Sequence, residues 1–236
     1  MSGDDAPVRR LLLFDVDGTL VDVGGAGRAA LRGALEEVFG EAGPLERVDF
    51  HGRTDPSIVR EVLRALGCED PWIDGRLADV WSPYLARLEE ELAARDGRVR
   101  TCAGVPGLLG ELARREGVTL GLVTGNVEGG ARRKLAAAGV DAPFPVGAFG
   151  SDAEARDDLP PVALRRAERL GLRFRAREVW VVGDTPDDIR CGRASGLRTL
   201  AVATGRHGVD ELAAHGADRV LGDLSDTEAV LEALLS

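Results

Sequence analysis

The 236-residue chain sets 30 Lys and Arg against 40 Asp and Glu, a formal net charge of −10, which opposes binding to nucleic acid or to an anionic membrane surface. Its 44% hydrophobic content is ample for a packed core, and no stretch approaches the ~18 consecutive apolar residues of a membrane span. The start, MSGDDAPVRR, is too polar for a signal-peptide core, and three scattered cysteines (Cys68, Cys102, Cys191) form no CxxC pair, so a soluble, cytoplasmic, reducing setting is expected.

The first element is LLLFDVDGTL, Leu11 to Leu20. A short apolar run ended by Asp15, Asp17, Gly18 and Thr19 reads as a buried parallel strand finishing at its carboxyl edge. Ligands of open α/β sheets bind at that edge. In a regular strand the two acids point to one face, where like charges repel unless a cation or shared proton separates them. The pattern then turns helical. Ala26 to Phe39 has apolar residues at helical spacing, entered through Gly24-Gly25 and closed by Gly40. A polar loop, HGRTD (His51 to Asp55), precedes a helix over Pro56 to Leu66, and a longer helix is expected from Asp74 to Arg95. Residues 21–102 therefore read as helices without a strand, an insertion into the surrounding domain.

From Pro106 strands and helices alternate. Strands are expected at Val118–Thr124, Phe144–Phe149, Val179–Asp184, Leu197–Thr204 and Asp218–Gly222. Helices are expected near residues 108–115, 128–138, 160–170, 187–194, 209–214 and 227–235. Such alternation implies right-handed parallel crossovers and a doubly wound α/β sheet. The fold expected is a Rossmann-like core of residues 1–21 and 104–236 with a helical cap of residues 22–103.

Three strand ends carry polar residues toward one edge: Asp15, Asp17 and Thr19; Thr124, Gly125 and Asn126; and Asp184, with Asp188 about one helical turn further on. Carboxylates gathered there are hard oxygen ligands that favour Mg²⁺ over Zn²⁺. Thr124 brings a hydroxyl to a helix N-terminus, where free N–H groups favour an anion. A cation, a hydroxyl and such a terminus together suit phosphoryl transfer. One acid can attack phosphorus while another moves the proton. The chain has one lysine, Lys134, so a lysine-specific role has one candidate.

FDVDGTL (Phe14 to Leu20), LVTGN (Leu122 to Asn126) and VGDTPDDI (Val182 to Ile189) together resemble the first, second and fourth motifs of the haloacid dehalogenase superfamily, and the approach to the second is similar to that of phosphoglycolate-phosphatase-like members. The resemblance implies a cap inserted after the first motif. It implies Asp15 as nucleophile and Asp17 as general acid/base. It further implies Mg²⁺ held by Asp15, the Asp17 carbonyl and Asp184 with support from Asp188, and Thr124, Gly125 and Asn126 binding the phosphoryl group.

The third motif departs from the family pattern, since Asp157 stands where a lysine is usual. Arg156 is the first candidate for the displaced cation and Lys134 the second. Arg53 in HGRTD is a candidate for a substrate carboxylate or phosphate. The expected activity is hydrolysis of a small phosphate monoester by a monomer or weak homodimer. A hexose phosphomutase is the alternative enzyme, and a scaffold that has lost turnover the non-enzymatic one. Dehalogenation would not need Asp17, and a Schiff-base phosphonatase would need a cap lysine.

Overall fold

A computed structural model describes residues 9–95, 97–140 and 142–236; the polar start, residues 1–8, lies outside them. Six parallel strands form the central sheet: β1 (Arg10–Phe14), β4 (Val118–Thr124), β5 (Val146–Phe149), β6 (Val179–Gly183), β7 (Arg198–Val202) and β8 (Arg219–Leu221), in the order β5-β4-β1-β6-β7-β8. The chain moves outward from β1 through β4 to β5, then returns to β1's other side with β6. The carboxyl ends of β1, β4 and β6 are thus neighbours at the point where strand order reverses, the usual ligand crevice of such sheets.

Alternation along β1 divides the core. Leu12 and Phe14 join one apolar cluster with Leu108, Leu112 and Val230; Leu11 and Leu13 join the other with Leu159, Ala163 and Val181. These four residues are fully buried, each contributing about 1.5–3 kcal/mol in transfer terms. Both faces are covered by helices, which is why the strands read as continuous apolar runs. The helices are α5 (Val105–Ala113), α6 (Glu128–Ala137), α7 (Leu159–Arg169), α8 (Pro186–Ala194), α9 (Val209–Ala214) and α10 (Thr227–Leu235).

Between β1 and α5 the chain forms α1 (Ala26–Phe39), α2 (Asp55–Ala65), α3 (Asp70–Arg76) and α4 (Trp81–Ala94). Gly25, the residue before α1, has φ 82°, a left-handed conformation that costs glycine little. Leu31, Leu35, Val59, Val62 and Leu88 belong to the same apolar cluster as Leu12 and Phe14, so the inserted helices share a core with one face of the sheet.

Two sequence expectations need correction here. The single helix over 74–95 is three pieces, with a 3₁₀ turn at Leu77–Val80 between α3 and α4. Pro83, in the first turn of α4, has no N–H for the Asp79 carbonyl, so the α-helical ladder cannot continue back from α4 into Leu77–Val80. The stretch read as strandless also holds a two-residue antiparallel ribbon, β2 (Val21–Asp22) with β3 (Arg100–Thr101), where the chain leaves and re-enters the sheet domain. Among the described residues no helix is long and apolar enough to cross a membrane.

Candidate active site

Asp15 directly follows β1, and its N–H donates to the Val182 carbonyl at 2.9 Å, which ties it to β6. Gly18 then turns with φ 80°. A Cβ there would lie 2.5 Å from an Asp184 oxygen, so this turn admits only glycine while Asp184 stays in place. Asp184 follows β6, and its Oδ1 accepts the Thr19 hydroxyl at 3.0 Å. Asp188, in the first turn of α8, accepts the Thr185 N–H at 3.1 Å and the Thr185 hydroxyl at 2.6 Å on Oδ2, while the Asp188 N–H donates back to Thr185. That reciprocal capping box fixes both residues at the helix start.

The Asp15, Asp184 and Asp188 carboxylates each offer an oxygen within 4.8 Å of the others, and all three residues are buried. Burial raises the Asp15 pKa to about 6, against the lowering pull of Arg156 and with further lifting by Asp188 and Asp17. Burial, with Asp188 and Asp15 nearby, also pushes Asp184 well above the ordinary carboxylate range. These acids are strained as bare anions.

The structure separates the two candidate cations. Arg156 lies in a 3₁₀ turn (Arg156–Asp158) leading into α7. Its Nη2 is 3.0 Å from Asp15 Oδ1 and also donates to Asp188 Oδ1. Burial alone would lower the Arg156 pKa, but Asp188 and Asp15 outweigh it and raise it. Asp157, the residue at the expected lysine position, turns outward and pairs with Arg190 at 3.0 Å. Lys134, on α6, instead meets Asp17 Oδ2 at 2.6 Å and Asn126 Oδ1 at 2.5 Å.

Asn126 Nδ2 donates to Asp17 Oδ2 and to Thr124 Oγ1, both at 2.8 Å. Thr124 is fully buried at the end of β4. Gly125 lies against the inserted segment: its carbonyl accepts the Asp55 N–H at 2.7 Å, and a Cβ on it would sit 1.9 Å from the Arg53 carbonyl oxygen. Asp55 Oδ2 in turn accepts the Val127 N–H at 2.8 Å. Thr54 caps α2, accepting the Ser57 N–H. The Arg53 guanidinium, just before α2, bonds to Glu61 and to the Ser57 carbonyl on that helix, although the residue lines the cavity.

That cavity, of about 480 Å³, lies between the strand ends and the inserted helices, and Asp15, Asp17, Arg53, Thr124, Lys134 and Arg156 all reach it. Thr19 is expected at this edge and Asp55 in the polar loop facing it, but not their bonds to Asp184 and the Val127 N–H; Tyr84 of α4 on the cavity wall is not expected at all. The arrangement supplies a carboxylate paired with a guanidinium, a second carboxylate facing the cavity, and a hydroxyl beside a helix start, the parts required for nucleophilic displacement with proton transfer.

Comparisons with known proteins show the family and the fold. The chain is 32% identical over 223 residues to the plasmid-encoded phosphoglycolate phosphatase of Cupriavidus necator, covering 93% of this chain and 92% of that one. It is 28% identical over 228 residues to the phosphoglycolate phosphatase of Rhodospirillum rubrum, covering 92% and 88%. Among solved structures, CbbY from Rhodobacter sphaeroides in complex with phosphate has the same fold, with TM-score 0.68 at 21% identity over 92% of this chain and 96% of that one. A hydrolase from Pseudomonas syringae gives 0.70 at 21% identity, covering 97% and 100%. Residues 12–202, from β1 through β7, match the sequence pattern of the haloacid dehalogenase-like hydrolases, and the chain belongs to that family.

Proposed function

We propose that this protein is a Mg²⁺-dependent phosphatase that hydrolyses a small phosphate monoester, of the phosphoglycolate or sugar-phosphate kind, through an aspartyl-phosphate on Asp15. The observation that carries the reading is the Asp15 carboxylate, tied to β6, paired with Arg156 at 3.0 Å and grouped with two further buried acids at the cavity. The donor set fits Mg²⁺, because it consists of hard oxygens gathered within 4.8 Å and holds more negative charge than Arg156 alone offsets. Asp15, Asp184 and the Asp17 carbonyl would hold the ion. Asp188, whose oxygens are engaged by Arg156 and Thr185, would support them from behind. Bound there, Mg²⁺ would neutralise the acids and offset charge on the phosphoryl oxygens.

The chain's own groups then divide the work. An Asp15 oxygen bonds to phosphorus as the ester P–O bond breaks, and protonated Asp17 gives its proton to the leaving alcohol. Water next attacks the acyl-phosphate phosphorus, Asp17 takes the water's proton, and Asp15 is released with inorganic phosphate. Arg156, the Thr124 hydroxyl and the N–H groups near Asn126 steady the phosphoryl oxygens. Residues 22–103 act as the cap that closes the cavity, moving on Gly24-Gly25. A phosphate-release panel over phosphoglycolate, hexose phosphates and nucleotides tests this. Release that needs Mg²⁺ and stops with chelator supports it; isomerisation of a hexose phosphate without net release, or no turnover at all, contradicts it.

A further inference from the structure

We infer that Lys134 is a positioning residue for the Asp17 carboxylate, serving proton transfer rather than attack on phosphorus. The inference rests on the phosphatase reading above and deepens it. Lys134 is buried on α6, eight residues beyond Asn126, and two donors of its ammonium have acceptors, Asp17 Oδ2 and Asn126 Oδ1. Asp17 Oδ2 also accepts from Asn126 Nδ2. One Asp17 oxygen is therefore clamped from two sides, and rotation of the carboxylate is restricted. The other oxygen is the one left for a substrate in the cavity that Asp17 lines. Through Asn126 the same network reaches the Thr124 hydroxyl, so the acid and the group beside the phosphoryl site are held in one frame.

Two further observations separate this from an ordinary ion pair. The Lys134 side chain is 6% exposed and that of Asp17 41%. A cation withdrawn from water toward an acid that stays half open is poor design for stability alone, because the desolvation penalty falls on the lysine. The second concerns shape. Every other basic residue that Lys or Arg could supply in this chain is arginine, yet this place takes the compact ammonium. Space explains it: a Cβ on Gly27 of α1 would lie 3.2 Å from Lys134 Nζ and 3.4 Å from its Cε. Tyr84 of α4 packs beside both: its hydroxyl lies 3.8 Å from that Gly27 Cβ and 3.4 Å from a Cβ placed on Gly130, one turn before Lys134 on α6. A planar guanidinium fork needs more room than a point charge on a flexible stem. Gly27 and Tyr84 belong to the inserted segment and Lys134 to the sheet domain, so the seated insert is what confines the lysine against Asp17.

Leaving-group dependence tests the assignment, since an alkoxide must be protonated as it departs and 4-nitrophenolate need not be. kcat/KM would be measured for 4-nitrophenyl phosphate and for 2-phosphoglycolate or a hexose phosphate, whichever alkyl ester the wild-type enzyme cleaves faster. Lys134→Met is expected to lower kcat/KM about 100-fold for the alkyl ester and only about 3-fold for the nitrophenyl ester, a contrast within the range of general acid catalysis. Gly27→Ala keeps the charge, favours the helix and crowds the lysine, and it is expected to show the same contrast at about 5-fold; it carries the test if Lys134→Met does not fold. Equal losses on both esters, or no loss on either, overturn the inference. Wild-type enzyme that releases phosphate from neither ester overturns the phosphatase reading itself, and this inference with it.

Discussion

Asp15 and Asp17 lie two residues apart, and the fold gives them opposite surroundings. The Asp15 side chain is 8% exposed and faces Arg156, with Asp184 and Asp188 close by. The Asp17 side chain is 41% exposed and is gripped by Lys134 and Asn126 through one oxygen. β1 ends between them in effect: Asp15 continues its ladder through a bond to Val182, whereas Asp17 already belongs to the turn that pairs with Val21. A nucleophile gains from a fixed position and a neighbouring cation. An acid/base gains from an oxygen that reaches the substrate. In the proposed mechanism, environment, not residue type, separates the two roles.

The comparison can be broken at its strongest point first. Asp15→Asn is expected to reduce phosphate release ~10⁴-fold or more for every ester, because it removes the attacking atom. Asp17→Asn should lower kcat/KM ~10³-fold for alkyl esters and far less for 4-nitrophenyl phosphate; an equal effect on both would place Asp17 in binding instead. Arg156→Ala should cost ~10²-fold in kcat and, by leaving Asp15 and Asp188 uncompensated, about 3 kcal/mol of stability in a denaturant titration. An activity like that of wild type would remove Arg156 from the site.

The smallest effect concerns the seam between insert and sheet domain. Burial raises the Asp55 pKa to about 6, against the lowering influence of Lys134 and the Val127 N–H. A folded pKa above the unfolded value means protonation favours the folded state, so this contribution is present below pH 4 and is lost as pH rises through 6. Asp55→Asn, which can still accept the Val127 N–H, should flatten that part of the stability profile by at most about 3 kcal/mol. Unchanged slope between pH 4 and 7 would contradict the assigned shift.

Much of this is legible in the sequence. The run Val118–Thr124 is bounded by Gly117 and Gly125, and its predicted limits coincide with β4; α1, α9 and α10 coincide likewise. The convergence of Asp15, Thr124 and Asp184 follows from their place at successive strand ends, which parallel topology brings together. What stayed hidden depends on contacts between distant segments. Arg156 and Lys134 could not be told apart as partners of Asp15, because each reaches its acid across more than a hundred residues. Thr19 gave no sign that its hydroxyl would hold Asp184. The break at Leu77–Val80 was readable from Pro83 but masked by an apolar stripe continuing through it. Arg53, two residues before α2, ties to Glu61 on that helix, eight residues on and outside the i,i+3 and i,i+4 spacings that a sequence shows.

The central claim is that phosphate passes through a covalent bond to Asp15. Wild-type enzyme mixed with a substrate ester and Mg²⁺, quenched in acid within milliseconds and analysed by peptide mass spectrometry, measures it directly. A phosphoryl adduct localised to Asp15, absent in Asp15→Asn, is the expected result. Turnover with no adduct at any quench time, or an adduct on Asp17 instead, would contradict the account.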